Sequence, residues 1–344
     1  MRRLLLGLFH ETEAWRIPDA EVERLRVEFP GLEIERAHSK EELEEKVPGA
    51  EILFSWAPGE KIASRGARLR WIHAPAAGVG AFITPSVVER GLVLTNSRGV
   101  HAIPIAEHTI GMLVALARDF RGAIRDQLHA RLDRERWWIG SGRPVELHGR
   151  TLGLFGYGAI GREIARRAIA CGMRVLAVRR RPRADAAWDP GLLEALDLPV
   201  EEPRLDRVMG PDELPAMLSE ADVVVVAAAL TRETEGVFDA AAFRSMKRGA
   251  WLVNIARGKI VREGDLIEAL REGVVGAAAL DVFETEPLPP ESELYRLENV
   301  ILTPHVSGNS TGFWPRAMAL FRGNLRRDAA GLPHWNRVDL TRGY

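Results

Sequence analysis

The chain has 344 residues, 46% hydrophobic and 28% charged, with 47 basic against 48 acidic side chains and a formal net charge of −1. That length fits about two domains, and so even a balance leaves no long-range field to draw nucleic acid or an anionic membrane. A single cysteine excludes an internal disulfide framework and fits a reducing, cytoplasmic compartment.

The opening MRRLLLGLF has an apolar core too short for a secretory leader and runs at once into His10-Glu11, so residues 3–9 read as a strand. Val22, Leu25 and Phe29 recur at helical spacing through 19–29, a helix closed by Pro30-Gly31. Residues 32–36 form a second strand, 40–46 an acidic helix closed by Pro48-Gly49, and 51–56, 69–73 and 92–95 are further strands. Strands alternating with helices imply βαβ units and a parallel sheet covered by helices. The first hundred residues therefore make an α/β domain of their own, one without a phosphate-binding glycine fingerprint.

Residues 104–119, PIAEHTIGMLVALARD, form a long apolar helix that begins near a proline and links to a second domain. The following 120–146 is rich in Arg and holds Trp137-Trp138. It is too polar for a core and too aromatic for a plain loop. Trp and Arg favour interfaces, so the segment is expected against a partner subunit; the alternative is a helix-capping excursion within its own chain.

The stretch TLGLFGYGAIG organises the rest. Residues 151–155 read as a buried strand, and Gly156, Gly158 and Gly161 follow at the spacing G-x-G-x-x-G, with Ala159 and Ile160 between them. REIARRAIACG then shows one apolar helical face, which includes Cys171 as a packing residue. Strand, glycine turn and helix are the context that a dinucleotide fingerprint needs. The helix N-terminus offers free N–H groups to phosphates. Further strands are expected at 174–179, 222–228, 250–255, 276–280 and 299–302, with helices between them such as 263–272. Residues 181–211, with five prolines, read as a long surface insertion. A last helix covers 315–330. The longest apolar run, 223–230, is far short of a membrane span.

Three short motifs follow the later strands: Asn254 to Gly258, Asp281 to Leu288, and Leu302 to Gly308. In a doubly wound sheet ligands lie beyond the carboxyl ends of the strands, so all three, Asp281 included, are expected at the cofactor crevice. Arg257 brings a permanent planar cation for a carboxylate, His305 a group that trades protons near neutral pH, and Glu286 an anion to hold the imidazolium. Singly, each is as well explained by a surface ion pair, a solvated acid or a structural histidine. Together, beside a nucleotide fingerprint, they suit hydride transfer to a 2-keto acid. No metal-ligand cluster is apparent.

The segments PIAEHTIGMLVALAR, TLGLFGYGAIGREIA, WLVNIARGKIV, AALDVFETEPLP and NVILTPHVSG make the chain resemble the D-isomer-specific 2-hydroxyacid dehydrogenases, of glyoxylate/hydroxypyruvate reductase type, along nearly its whole length. The resemblance implies catalysis by Arg257, Glu286 and His305 and a homodimer. It implies two Rossmann-like or flavodoxin-like doubly wound domains with the active site in the cleft between them. The substrate domain would be discontinuous, 1–103 plus 306–344, and the NAD(P)-binding domain would be 104–305. It further implies that His73 to Gly80 is the substrate loop, with N–H groups at Ala77, Gly78 and Val79 joining Arg257 on the substrate carboxylate; the alternative is a small-residue turn after a strand. Family members often have Asp where this loop has Gly80. Trp56 and Trp314 would either shape the substrate pocket or pack in the core. Formate dehydrogenases of similar sequence have Gln where this chain has Glu286, which counts against that activity. A non-catalytic NAD(P)(H)-sensing protein of the same fold is the competing reading.

NAD-specific sites of this kind usually carry an acid about 20 residues beyond the fingerprint, on the ribose 2′-hydroxyl. Here the strand RVLAV ends in Arg179, Arg180, Arg181 and Pro182. Guanidinium groups pair with a 2′-phosphate, so NADP is the expected cofactor, through Arg179 and Arg180, with NAD also possible; the alternative is a solvated basic turn at the start of the insertion.

Overall fold

The structure is a computed structural model that describes residues 2–56, 58–131, 134–139, 144–180 and 188–343. Arg181, Pro182 and the rest of 181–187 lie outside the described residues, as do 132, 133 and 140–143 of the Arg- and Trp-rich segment. The chain divides into one unit of Met1–Val100, Ala187–Val200 and Ser310–Tyr344 and another of His101–Ala186 and Glu201–Asn309.

In the first unit β1 (Arg2–Gly7), α1 (Asp19–Glu28), β2 (Leu32–Arg36), α2 (Lys40–Lys46), β3 (Ile52–Ser55), α3 (Gly59–Arg65), β4 (Trp71–Ala74), α4 (Pro85–Glu89) and β5 (Val93–Asn96) alternate. All five strands run parallel in the order β2-β1-β3-β4-β5. Every residue of β3 and β4 is buried, as a parallel sheet covered on both faces requires.

The second unit starts with α5 (Ala102–Ala117), α6 (Phe120–Leu128) and α7 (Glu135–Ile139). Then come β6 (Thr151–Phe155), α8 (Ala159–Ala170) and β7 (Arg174–Val178). Next, α9 (Pro190–Ala195) belongs to the first unit. Its start is capped by Asp189, which accepts from Gly191 N (2.9 Å) and Leu192 N (3.3 Å). The second unit resumes with β8 (Arg207–Met209), α10 (Leu214–Glu220), β9 (Val223–Val226), α11 (Ala240–Ser245), β10 (Ala250–Asn254), α12 (Glu263–Arg271), β11 (Val275–Leu280) and β12 (Val300–Leu302). Its seven parallel strands run β12-β11-β10-β9-β6-β7-β8. The central β9 is four buried valines, stiff at χ1 and suited to a doubly covered strand. The chain order reverses between β6 and β9, so the glycine turn after β6 sits at the switch point where such sheets take ligands.

α13 (Phe313–Ala329) completes the first unit. Its Phe321 lies 4.4 Å from Phe54, 5.4 Å from Trp71 and 5.1 Å from His73 between ring centroids. Asp328, near its end, accepts from Arg70 (2.7 and 3.1 Å) and Arg2 (2.7 Å).

The expected strands coincide with the observed ones within two residues. The region after β7 departs from expectation. Instead of a plain surface insertion it contains α9 and β8, and β8 extends the sheet beside β7. Three residues among prolines and charges are too few to show a strand period. Cys171 sits at the end of α8, a free thiol that is only partly buried and packs against the second unit's core.

Candidate active site

The glycine turn is built for close approach. Gly156 has φ +106, and a Cβ there would fall 2.5–2.6 Å from the backbone of Ala227 and Ala228 beyond β9. A Cβ on Gly161 would fall 2.6 Å from the Gly156 carbonyl oxygen. On Gly158 it would meet nothing within 4 Å, so one side of the turn is open. Gly158 caps α8 without a side-chain hydrogen bond, which leaves the first N–H groups of a 12-residue helix facing that opening. Ala159 is buried and Ile160 is half-buried. The donor set and the open side fit the pyrophosphate of a dinucleotide.

At the end of β7, Arg179 extends the pairing by donating its N–H to Met209 O (3.0 Å). Its guanidinium lies over the Tyr157 ring, 5.9 Å from the centroid, and Arg180 is exposed. The sequence reading missed Glu202. Its carboxylate accepts from Tyr157 Oη (3.0 Å) and lies 2.6 Å from Arg162 Nε. Burial and the Glu202 charge push the Tyr157 phenol well above its ordinary range.

The three later motifs meet at the ends of β10, β11 and β12. Arg257 follows β10, with Asn254 bridging its turn: Nδ2 donates to Arg257 O (3.1 Å), and Oδ1 accepts from Ala256 N (3.1 Å). Gly258 packs so tightly that a Cβ would fall 1.8 Å from the Phe283 carbonyl carbon. That contact ties the Arg257 turn to the loop bearing Glu286. Arg257 is exposed, its Nη1 donating to Ala256 O (2.6 Å). Glu286 accepts from Phe283 N through Oε1 (3.1 Å) and faces His305 Nδ1 through Oε2 at 2.7 Å. With Nδ1–H given to the carboxylate, His305 Nε2 is the nitrogen left to exchange a proton. His305 itself has φ +53, a left-handed conformation unusual for a side chain.

Asp281 is fully buried and spends its oxygens on that same turn. Oδ1 accepts from Thr303 Oγ1 (2.6 Å) and Val306 N (2.9 Å), Oδ2 from Ser307 N (3.0 Å), and its carbonyl from His305 N (2.8 Å).

The expected substrate loop lies in the first unit. Ala77 and Gly78 are exposed and Val79 is buried. Asn96 Nδ2 donates to Ala77 O (2.8 Å), and among the described residues no acceptor meets the N–H of Ala77 or Gly78. His73 and Ala74, expected to open this loop, instead belong to the buried strand β4, and His73 is a core residue. Its Nδ1 meets Thr95 Oγ1 (2.7 Å) and its Nε2 meets Ser97 Oγ (3.2 Å); burial lowers its pKa to about 3, so it is neutral. Trp56 and Trp314 stand 6.3 Å apart in a cluster with Trp15 and Phe313. Trp56 Nε1 donates to Trp15 O (3.1 Å) and Trp314 Nε1 to Ala14 O (3.0 Å).

Comparison with known proteins agrees with this layout. The profile of the "D-isomer specific 2-hydroxyacid dehydrogenase, NAD binding domain" matches residues 110–307. A glyoxylate reductase of Pyrococcus furiosus is 34% identical over 88% of this chain and 87% of its own length. A D-3-phosphoglycerate dehydrogenase of Archaeoglobus fulgidus is 30% identical over 94% of this chain, which spans only 58% of that protein. The crystal structure of a D-isomer specific 2-hydroxyacid dehydrogenase from Xanthobacter autotrophicus Py2 in complex with NADPH and MES superposes with a TM-score of 0.78 at 28% identity, covering 99% of both chains.

Proposed function

The chain belongs to the D-isomer specific 2-hydroxyacid dehydrogenase family and is an NAD(P)-dependent oxidoreductase, and we propose that it reduces small 2-keto acids to D-2-hydroxy acids. Glyoxylate and hydroxypyruvate are the substrates to try first, since relatives named for reducing each are 34% and 32% identical to it. The observation that carries the reading is the 2.7 Å His305–Glu286 pair, which follows the carboxyl ends of strands in the same parallel sheet as the glycine turn.

The reduced nicotinamide supplies the hydride that C2 of the keto acid receives. Arg257 grips the substrate carboxylate with its planar fork, with the N–H groups of Ala77, Gly78 and Val79 as further donors. His305 gives the Nε2 proton to the oxygen on C2, and Glu286 holds the imidazolium at Nδ1. In the oxidative direction the same nitrogen takes that proton back.

NADPH is the preferred cofactor, with Arg179 and Arg180 on the 2′-phosphate. The end of β7 carries no carboxylate to repel that group. Glu202, drawn to the same turn, is engaged by Tyr157 and Arg162.

The working unit is a homodimer. α6 exposes Phe120, Ile124 and Leu128 along one face, and α7 exposes Trp138 and Ile139. Such a face is suited to burial against a second copy.

The test is a panel of 2-keto acids assayed with NADPH and NADH. Turnover of glyoxylate or hydroxypyruvate is expected, and no turnover of any member would overturn the proposal.

A further inference from the structure

We propose that His108, with His101, acts as a positioning residue that braces the turn carrying His305. The two histidines are seven residues apart at and along α5, about two helical turns, so they share one face. They grip the two ends of the segment 303–308. His108 Nε2 lies 3.1 Å from Thr303 Oγ1, and His101 Nδ1 lies 2.9 Å from Gly308 O.

The donors and acceptors present set the direction of both contacts. Thr303 has one hydroxyl proton and gives it to Asp281 Oδ1 at 2.6 Å. Its oxygen must then accept from His108, which puts a proton on His108 Nε2. Gly308 O can only accept, so His101 carries its proton on Nδ1. A Cβ on Gly308 would fall 3.2 Å from that nitrogen, tighter than nearly all real contacts.

Between these grips, Asp281 holds the backbone of Val306 and Ser307 by its side chain and that of His305 by its carbonyl. His108 Nε2 is also 3.8 Å from Asp281 Oδ1. The left-handed His305 thus depends on a chain of donors that begins on α5. Without the His108 N–H, Thr303 loses a partner and is free to rotate away from Asp281. The carboxylate is then held by two donors instead of three, and the turn loosens. None of this places His108 on the substrate; it acts through His305 and so rests on His305 being the proton donor.

The experiment compares His108→Ala, His108→Gln and Thr303→Val with the wild type. One readout is kcat and KM for the keto acid it reduces; the other is amide hydrogen exchange across 303–308 without cofactor. His108→Ala is expected to lower kcat roughly 10- to 100-fold, the scale set by small misplacements of a reacting group. KM should stay within about twofold, and exchange at Val306 and Ser307 should speed up. Gln carries an N–H at similar reach and should restore most of both. Thr303→Val should reproduce the Ala variant even if the latter folds poorly. Wild-type kcat and exchange in His108→Ala, or failure of Gln to restore either, would overturn the brace. A fully active His305→Ala would instead overturn the proton-donor reading, and the exchange data would still judge the brace on their own.

Discussion

Gly258 and Phe283 approach so closely that a methyl group on the glycine would fall 1.8 Å from the phenylalanine carbonyl carbon. Backbone on that side cannot rotate out of the way as a side chain could. Gly258→Ala should therefore push the Arg257 turn off the loop that carries Glu286. The expected cost is about 1–3 kcal/mol from overpacking, with a fall in kcat because both groups shift. Thermal midpoint and kcat check it; a variant with both unchanged would contradict the packing.

His305→Ala should lower kcat by roughly 10²–10⁴-fold, the usual range for loss of a general acid. Cofactor affinity and thermal midpoint should stay near wild type, because the ring is half exposed. Glu286→Gln keeps the shape but removes the anion at Nδ1, so a smaller loss, about tenfold, is expected. Steady-state rates with a titration of NADPH binding separate the two effects.

Wild-type protein should show higher kcat/KM with NADPH than with NADH. Arg179→Asp combined with Arg180→Ala should reverse that order, since an acid at the end of β7 repels a 2′-phosphate and suits a 2′-hydroxyl. Equal or better use of NADH by the wild type would refute the preference. A double variant that still favours NADPH would refute the two arginines.

Asp328 links α13 to β1 and to the residue before β4. Burial pushes its carboxyl up, but the Arg70 and Arg2 guanidiniums outweigh that and hold it below the ordinary 3.8. A depressed folded-state value means the contribution is complete above about pH 4 and fades as the pH drops through the folded value. Asp328→Asn should thus cost about 2 kcal/mol at pH 7, the scale of hydrogen bonds to a charged group. The gap between variant and wild type should narrow below about pH 4. Denaturant melts across that range test the sign as well as the size.

Sedimentation at micromolar concentration should give a dimer. Ile124→Asp with Leu128→Asp places two charges on the exposed face of α6 and should yield a monomer with its secondary structure retained. A monomeric wild type would leave that apolar face to be explained otherwise.

Much of this was legible from residue order. The glycine spacing, the buried runs and the strand-end Arg257, Glu286 and His305 are local patterns, and local patterns survive in a sequence. Glu202 was not legible, because it reaches Tyr157 from 45 residues away through a stretch with no periodicity. Asp281 could be placed at a strand end, but its four bonds to the following turn depend on how β11 and β12 pair. His108 was hidden for a different reason. It sits in a helix whose apolar pattern reads as packing alone, and its partner Thr303 is 195 residues on. The short β8 fell below the length at which alternation can be seen.

The place of α13 bears on how the chain matures. The five strands of the first sheet are made within the first 96 residues, yet Phe321 and Asp328, which close over Phe54, Trp71 and Arg70, arrive last. By residue 302 every strand of the second sheet has been synthesised. Amino-terminal domains commonly fold first on the ribosome, but the first unit here takes in α13, which follows every strand of the second sheet in the chain. A nascent chain halted before residue 313 would carry all seven strands of the second sheet and a first sheet that still lacks the packing of Phe321 and the ion pairs of Asp328.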